Sequence, residues 1–189
     1  MHRPEPFMML FPCPFDRSRG VRALLAAVAL AVPLAAAAQG SAPYAEVQRR
    51  LAAGDVVLAR QALDGWLREH PNDVQARLLL GVTQAAAGDS AGAQATYEQL
   101  TREHPELPEP YNNLAVLHAA AGRLAEARAA LEAALRHHPD YATAHRNLGD
   151  VYAQLALGHW QRALALQPDQ ADLRQREQAL RQLFAPLAR

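Results

Sequence analysis

Lysine is absent from the chain: all 19 basic residues are arginine, and 19 acidic residues balance them. A net charge of zero argues against nucleic-acid binding, which wants clustered positive charge to displace counterions. It equally argues against electrostatic attachment to a membrane surface. Cysteine is almost absent. Cys13 is the only one, and it precedes the apolar run Ala23 to Ala38, so it cannot be the lipid-bearing cysteine that follows a lipoprotein signal. The remainder can form no disulfide and no reactive thiolate. That apolar run spans 16 residues, short of the roughly 20 that a membrane-spanning helix needs. No glycine-rich phosphate loop is present either, and catalysis by this chain is not expected.

What the chain does have is a period. His-Pro recurs at His70-Pro71, His104-Pro105 and His138-Pro139, every 34 residues. Gly54, Gly88 and Gly122 keep the same interval, as do Ala59, Ala93 and Ala127, and the large apolar series Leu63, Tyr97 and Leu131. Each series has a physical role. Glycine takes the left-handed turn between two helices, alanine lets the helices approach, and the large residue fills the gap one turn later. Proline stops the second helix because it has no amide donor. Helix pairs are therefore expected at Tyr44–Ala53 with Asp55–Glu69, Val74–Ala87 with Asp89–Glu103, and Pro108–Ala121 with Arg123–His137. Pro108 and Pro110 fall in a first turn, where a missing donor costs little. Glu98 with Arg102 and Glu132 with Arg136 have the spacing of solvated helix-surface pairs.

Tyr111-Asn112-Asn113-Leu114-Ala115, followed by Gly122, Ala127, Leu131, Ala134 and Pro139, resembles the tetratricopeptide repeat family. His145-Arg146-Asn147-Leu148-Gly149 and Tyr152 begin a further copy. The resemblance covers about residues 41–168 and implies an all-α, right-handed α-solenoid of stacked antiparallel helix pairs: three to four repeats at about 40–73, 74–107, 108–141 and a shortened 142–168, within a repeat domain 39–168. Such stacks are usually binding surfaces, and a unit of this length buries its apolar face only against neighbouring copies. Trp66 stands where later copies have Leu100 and Ala134, which marks the first hairpin as a divergent, capping-type repeat. The segment 169–189 reads as a polar-faced capping helix, Asp169–Phe184, and a tail.

The fourth copy departs from the pattern, because Pro168 follows Pro139 by 29 residues. Alignment from each side puts the missing five residues between Tyr152 and His159, where the turn should be, and sets Trp160 and Ala163 in register with Leu131 and Ala134. Either a hairpin with a very short connection or one long helix bent near Leu157 and Gly158 is expected.

At the other end, Arg17, Arg19 and Arg22 precede the apolar run, which contains Pro33 and ends in Ala36 and Ala38. Residues 1–38 read as a signal peptide cut before Gln39, with a retained anchor as the rival reading. Met8 or Met9 is an alternative start. The 151 residues remaining carry 15 basic and 17 acidic groups, enough chain for one continuous core. Arginine in place of lysine, together with abundant alanine, fits a GC-rich bacterial gene, so the expected compartment is the periplasm or the exterior.

Candidate binding residues follow from the period, since positions 34 apart on the first helices line one inner face. One ladder is Leu78, Asn112 and Arg146; beside it run Leu79, Asn113 and Asn147, then Val82, Val116 and Asp150. Asparagine amides and an arginine fork suit the backbone or terminal carboxylate of a peptide. With its apolar early half, the face suits an amphipathic peptide or helix. Asn113 and Asn147 also stand where the family often carries asparagine for interhelix hydrogen bonds. The family's basic clamp for acidic C-terminal peptides is not reproduced. Eight histidines raise a metal hypothesis, centred on His118, His137, His138 and His145, but their spacing does not match a helical zinc motif, and no metal or cofactor is expected. The expected function is a non-enzymatic scaffold of the bacterial envelope that binds a protein partner. The alternatives are an accessory or regulatory subunit of a cell-wall-modifying enzyme, and an enzyme using the histidine cluster.

Overall fold

The computed structural model describes residues 42–184, so the leader, Cys13, the proposed cut before Gln39 and the last five residues lie outside the described residues. Those described form eight α-helices and no strand: α1 Tyr44–Ala53, α2 Val56–Glu69, α3 Val74–Ala86, α4 Ser90–Glu103, α5 Pro108–Ala120, α6 Leu124–His137, α7 Ala142–Leu166 and α8 Ala171–Leu183. The first six match the sequence expectation to within one residue at every end. The chain is an α-solenoid in which each helix packs on the next, with further contacts from α1 to α3 and from α5 to α7.

Two repeated backbone devices set this geometry. Gly54, Gly88 and Gly122 have φ of 82°, 82° and 76°, a left-handed conformation that costs a side-chain-bearing residue about 1–2 kcal/mol. Each allows the amide after it to reach back five residues, from Asp55 to Arg50, Asp89 to Gln84 and Arg123 to His118, closing the helix on its own carbonyls. At the other end of each hairpin, His70, His104 and His138 adopt φ of −129°, −134° and −133°. The following proline forbids the helical conformation to the residue before it. Gln167, before Pro168, has φ −136° for the same reason.

Ala59, Ala93 and Ala127 are fully buried, as are Leu63, Leu131 and, at 1% exposure, Tyr97; a large apolar side chain so placed contributes roughly 1.5–3 kcal/mol. The core runs in two linked sections. One joins α1–α4 with Leu114, the other joins α5–α7, and Ala130 touches both.

The fourth copy decides between the two expected forms, and two further details depart from expectation. α7 is continuous over 25 residues, so the shortened copy is one long helix rather than a hairpin: without a glycine turn between its halves, nothing stops the helix. The expected partners on the helix surfaces also differ, since Glu132 pairs with Arg128 at 3.6 Å, one turn back, and Glu98 accepts from Gln94 at 2.7 Å. Finally, α8 caps the stack through a polar contact: its buried residue is Glu177, which accepts from Arg181 and from Gln161 of α7.

Candidate functional site

The ladder residues divide into a seam and an open cleft. Leu78 and Val82, at 9% and 6% exposure, belong to the first core section. Asn112 and Asn113 are also buried, at 2% and 6%. Asn147 Nδ2 donates to Asn112 Oδ1 at 2.8 Å, Asn112 Nδ2 approaches Asn113 Oδ1 at 3.5 Å, and Asn113 is the polar partner of the buried Tyr97 hydroxyl. A chain of amides therefore runs from α7 through α5 to α4. Buried amides cost roughly 1–3 kcal/mol when unpaired, so these groups serve the stacking of helices before any ligand. Tyr97, whose phenol is pushed up by burial, stays neutral.

Val116, Asn147 and Asp150 do come together. With Ala115, Ala119, Leu131 and Val151 they line a small cleft between α5, α6 and α7. Arg146 is exposed on the adjacent turn of α7, and Asp150 is half-buried. The cleft is shallow, with an apolar floor already packed by its own helices and one amide, one carboxylate and a neighbouring guanidinium around it.

The four histidines of the metal hypothesis have separate surroundings. His118 Nδ1 accepts from Arg123 Nε at 3.1 Å, and burial, followed by the positive Arg123, holds this imidazole below its ordinary range. His145 Nε2 meets the Pro139 carbonyl at 2.7 Å, and His137 stacks on Tyr111 with ring centroids 5.8 Å apart. His138 ends α6. Among the described residues no group of three potential ligands could hold a metal ion, and no helix is long and apolar enough to cross a membrane.

Gly88-Asp89-Ser90-Ala91-Gly92 has the spacing of a hydrolase nucleophile elbow, which a serine enzyme places between a strand and a helix. Here it joins two helices: Asp89 caps α4 by accepting from Gly92 N at 2.9 Å, and Ser90 is the first helical residue. The pattern is a turn and a cap.

Sequence reasoning passed over the junction around Asp73. Its Oδ2 accepts from Tyr44 of α1 and from the Trp66 indole of α2, both at 2.6 Å, while Oδ1 caps α3 through Ala76 N at 3.0 Å. Burial favours the neutral acid, yet these hydrogen bonds outweigh it and hold the carboxyl below its ordinary range. Burial and the same contact push Tyr44 up to about 12. Trp66, which breaks the repeat pattern, is thus the indole that ties the first repeat to the second. An aspartate just before a helical run was the available signal.

A tetratricopeptide-repeat family model matches residues 50–117, and a second TPR-repeat model matches residues 118–155. No curated protein matches. Among solved structures, a thermophilic TPR protein of Thermus thermophilus is 22% identical with TM-score 0.54, covering 73% of this chain and 96% of its own. MamA is 22% identical with TM-score 0.50, covering 67% of this chain and 77% of its own. At these identities the likeness concerns the fold.

Proposed function

Because the chain belongs to the tetratricopeptide-repeat family, whose repeats mediate protein–protein interaction, we propose that it is a non-enzymatic scaffold of the bacterial cell envelope. It holds a peptide or helix of a partner against the first helices of its later repeats. The observation that carries this reading is the cleft bounded by Val116, Asn147 and Asp150 beside the exposed Arg146. The partner lays an apolar face across the mouth of this shallow cleft and supplies a carboxylate or backbone carbonyl to Arg146. Export follows from the arginines and the 16-residue apolar run before Gln39.

The test is affinity capture with the tagged chain expressed in a Gram-negative host, comparing wild type with Arg146→Ala/Asp150→Ala. Both positions are at least partly open to solvent, so the pair shifts stability by no more than about 1 kcal/mol while capture is lost. Capture unchanged by the pair rules out the cleft, and a chain that remains uncleaved in the cytoplasm rules out the envelope.

A further inference from the structure

The long helix α7 carries the halves of two different helices on one side. Gly149 holds the register of a first helix, and Ala156, Trp160 and Ala163 hold those of a second. Their successive spacings of 7, 4 and 3 align them along a single stripe of an α-helix. In a regular repeat these two sets pack on each other. The equivalents Ala115, Ala127, Leu131 and Ala134 are between 0% and 2% exposed.

In the second repeat the pairing is explicit. Gly81 of α3 is the seat for the Tyr97 ring of α4: a Cβ at Gly81 would lie 2.4 Å from Tyr97 Cε1. Gly149 and Trp160 repeat that glycine and aromatic at the same registers. Within one straight helix, however, they are 11 residues apart, or about 16 Å, and cannot meet. Gly149 is accordingly open, with nothing within 4 Å of its would-be Cβ. Trp160 and Ala163 are half-buried; at the edge of the stripe Tyr152 is 48% exposed and its hydroxyl donates to Glu132 Oε1 of α6 at 3.3 Å. The capping helix meets α7 at Gln161, and Phe184 shares a cleft with Gln154, Leu157 and Gly158, residues that the helical period sets off this stripe.

We propose that the stripe is covered by α7 of a second copy of this chain, antiparallel across a two-fold axis near residues 152–156. The first-helix half of each copy then meets the second-helix half of the other, and each Gly149 seats its partner's Trp160. The occupant is specified by register. The missing complement of each half is the other half, and one continuous helix offers it only in another molecule. Loss of the turn converts an intramolecular hairpin into a swapped, isologous pair. The groove reading is separate, since the cleft is lined by Asn147 and Asp150, off the stripe.

The experiment uses the full chain with Cys13→Ser. Sedimentation equilibrium is expected to show dimers, and Gly149→Leu, which fills the seat, is expected to weaken association by about tenfold or more without loss of helical circular dichroism. Mixing Gly149→Cys with Trp160→Cys chains under oxidation is expected to give a disulfide heterodimer in preference to either homodimer; the two positions lie beyond disulfide reach within one helix. A wild-type chain that is monomeric at about 100 μM, a range in which specific pairs associate, overturns the proposal. A dimer indifferent to Gly149→Leu or lacking the 149–160 cross-link also overturns it.

Discussion

Gly81→Ala isolates a single packing decision in this repeat array. Alanine raises helix propensity over glycine by about 1 kcal/mol, and Gly81 lies inside α3, so local preference alone predicts a more stable protein. The packing predicts the reverse. The new methyl carbon would sit 2.4 Å from Tyr97 Cε1, 2.8 Å from Cζ and 2.9 Å from Cδ1. Contacts below 3.0 Å to three ring atoms cannot be relieved by a small twist, and Tyr97 is 1% exposed among the core residues Leu79, Leu100 and Leu63. Overpacking of this kind costs roughly 1–3 kcal/mol, and displacing the ring also strains its Asn113 contact. We therefore expect a net loss of about 1–2 kcal/mol, the upper part of the overpacking range less the propensity gain. The third repeat suggests the compensating change, because there Ala115 faces the fold with Leu131 in place of glycine with tyrosine. Tyr97→Leu alone leaves a void and deprives Asn113 of its hydroxyl partner, costing about 2 kcal/mol. The double variant is expected to cost less than the sum of the two by at least about 1 kcal/mol. Urea denaturation followed by helical circular dichroism for all four proteins measures this coupling. A Gly81→Ala protein as stable as wild type, or strictly additive single effects, would refute the reasoning.

Asp73→Ala is expected to destabilise the chain by about 2 kcal/mol, combining a lost helix cap with the stranded Tyr44 and Trp66 donors at a half-exposed site; Asp73→Asn, which keeps an acceptor, should cost less, and equal losses in urea titrations would show that the junction is not hydrogen-bonded. His118 gives a pH dependence whose sign is fixed by its lowered folded pKa: the unfolded imidazole takes up a proton first, so the contribution is intact above the ordinary value of 6.5 and is lost as pH falls from there through the folded value. Thermal melts between about pH 7.5 and 5 are expected to show this loss, with His118→Gln flattening it; an unchanged slope in the variant would remove His118 as its source.

The regular part of this fold was legible because it is written three times. A glycine that must be left-handed, an alanine that must be small and a proline that must end a helix each leave one admissible residue type, and each recurs at a fixed interval. The binding ladder was legible only as a set of positions. The period says which residues share a face but not which of them are consumed by the stack, and Asn112 and Asn113 proved to be buried between helices. The same limit hid the Asp73 junction, since Tyr44 and Trp66 are 29 and 7 residues from their common partner Asp73 and the three residue types recur together in no later copy. The fourth copy shows a different limit. Counting located the lost turn, but two connections were compatible with the count, and only the unbroken backbone of α7 distinguishes them.

That unbroken helix also governs how much of the stack is rigid. In a solenoid, each unit is stabilised by its own hairpin and by its neighbours. The first half of α7 has neighbours: it packs on α5 and α6, and the Asn147 to Asn112 bond at 2.8 Å fixes its rotation. Its second half has α8, a helix whose buried residue is a glutamate. The apolar burial that stabilises α2, α4 and α6 is therefore much reduced beyond Tyr152, and local opening should be easiest there. The cleft beside Val116 lies on the well-held side of this boundary. A partner seated in it meets a preorganised floor and loses little ordering entropy, while pairing of α7 with a second copy adds apolar burial where the single chain has least. The two surfaces thus make different demands on the same helix, rotation fixed by asparagines at one end and burial supplied from outside at the other.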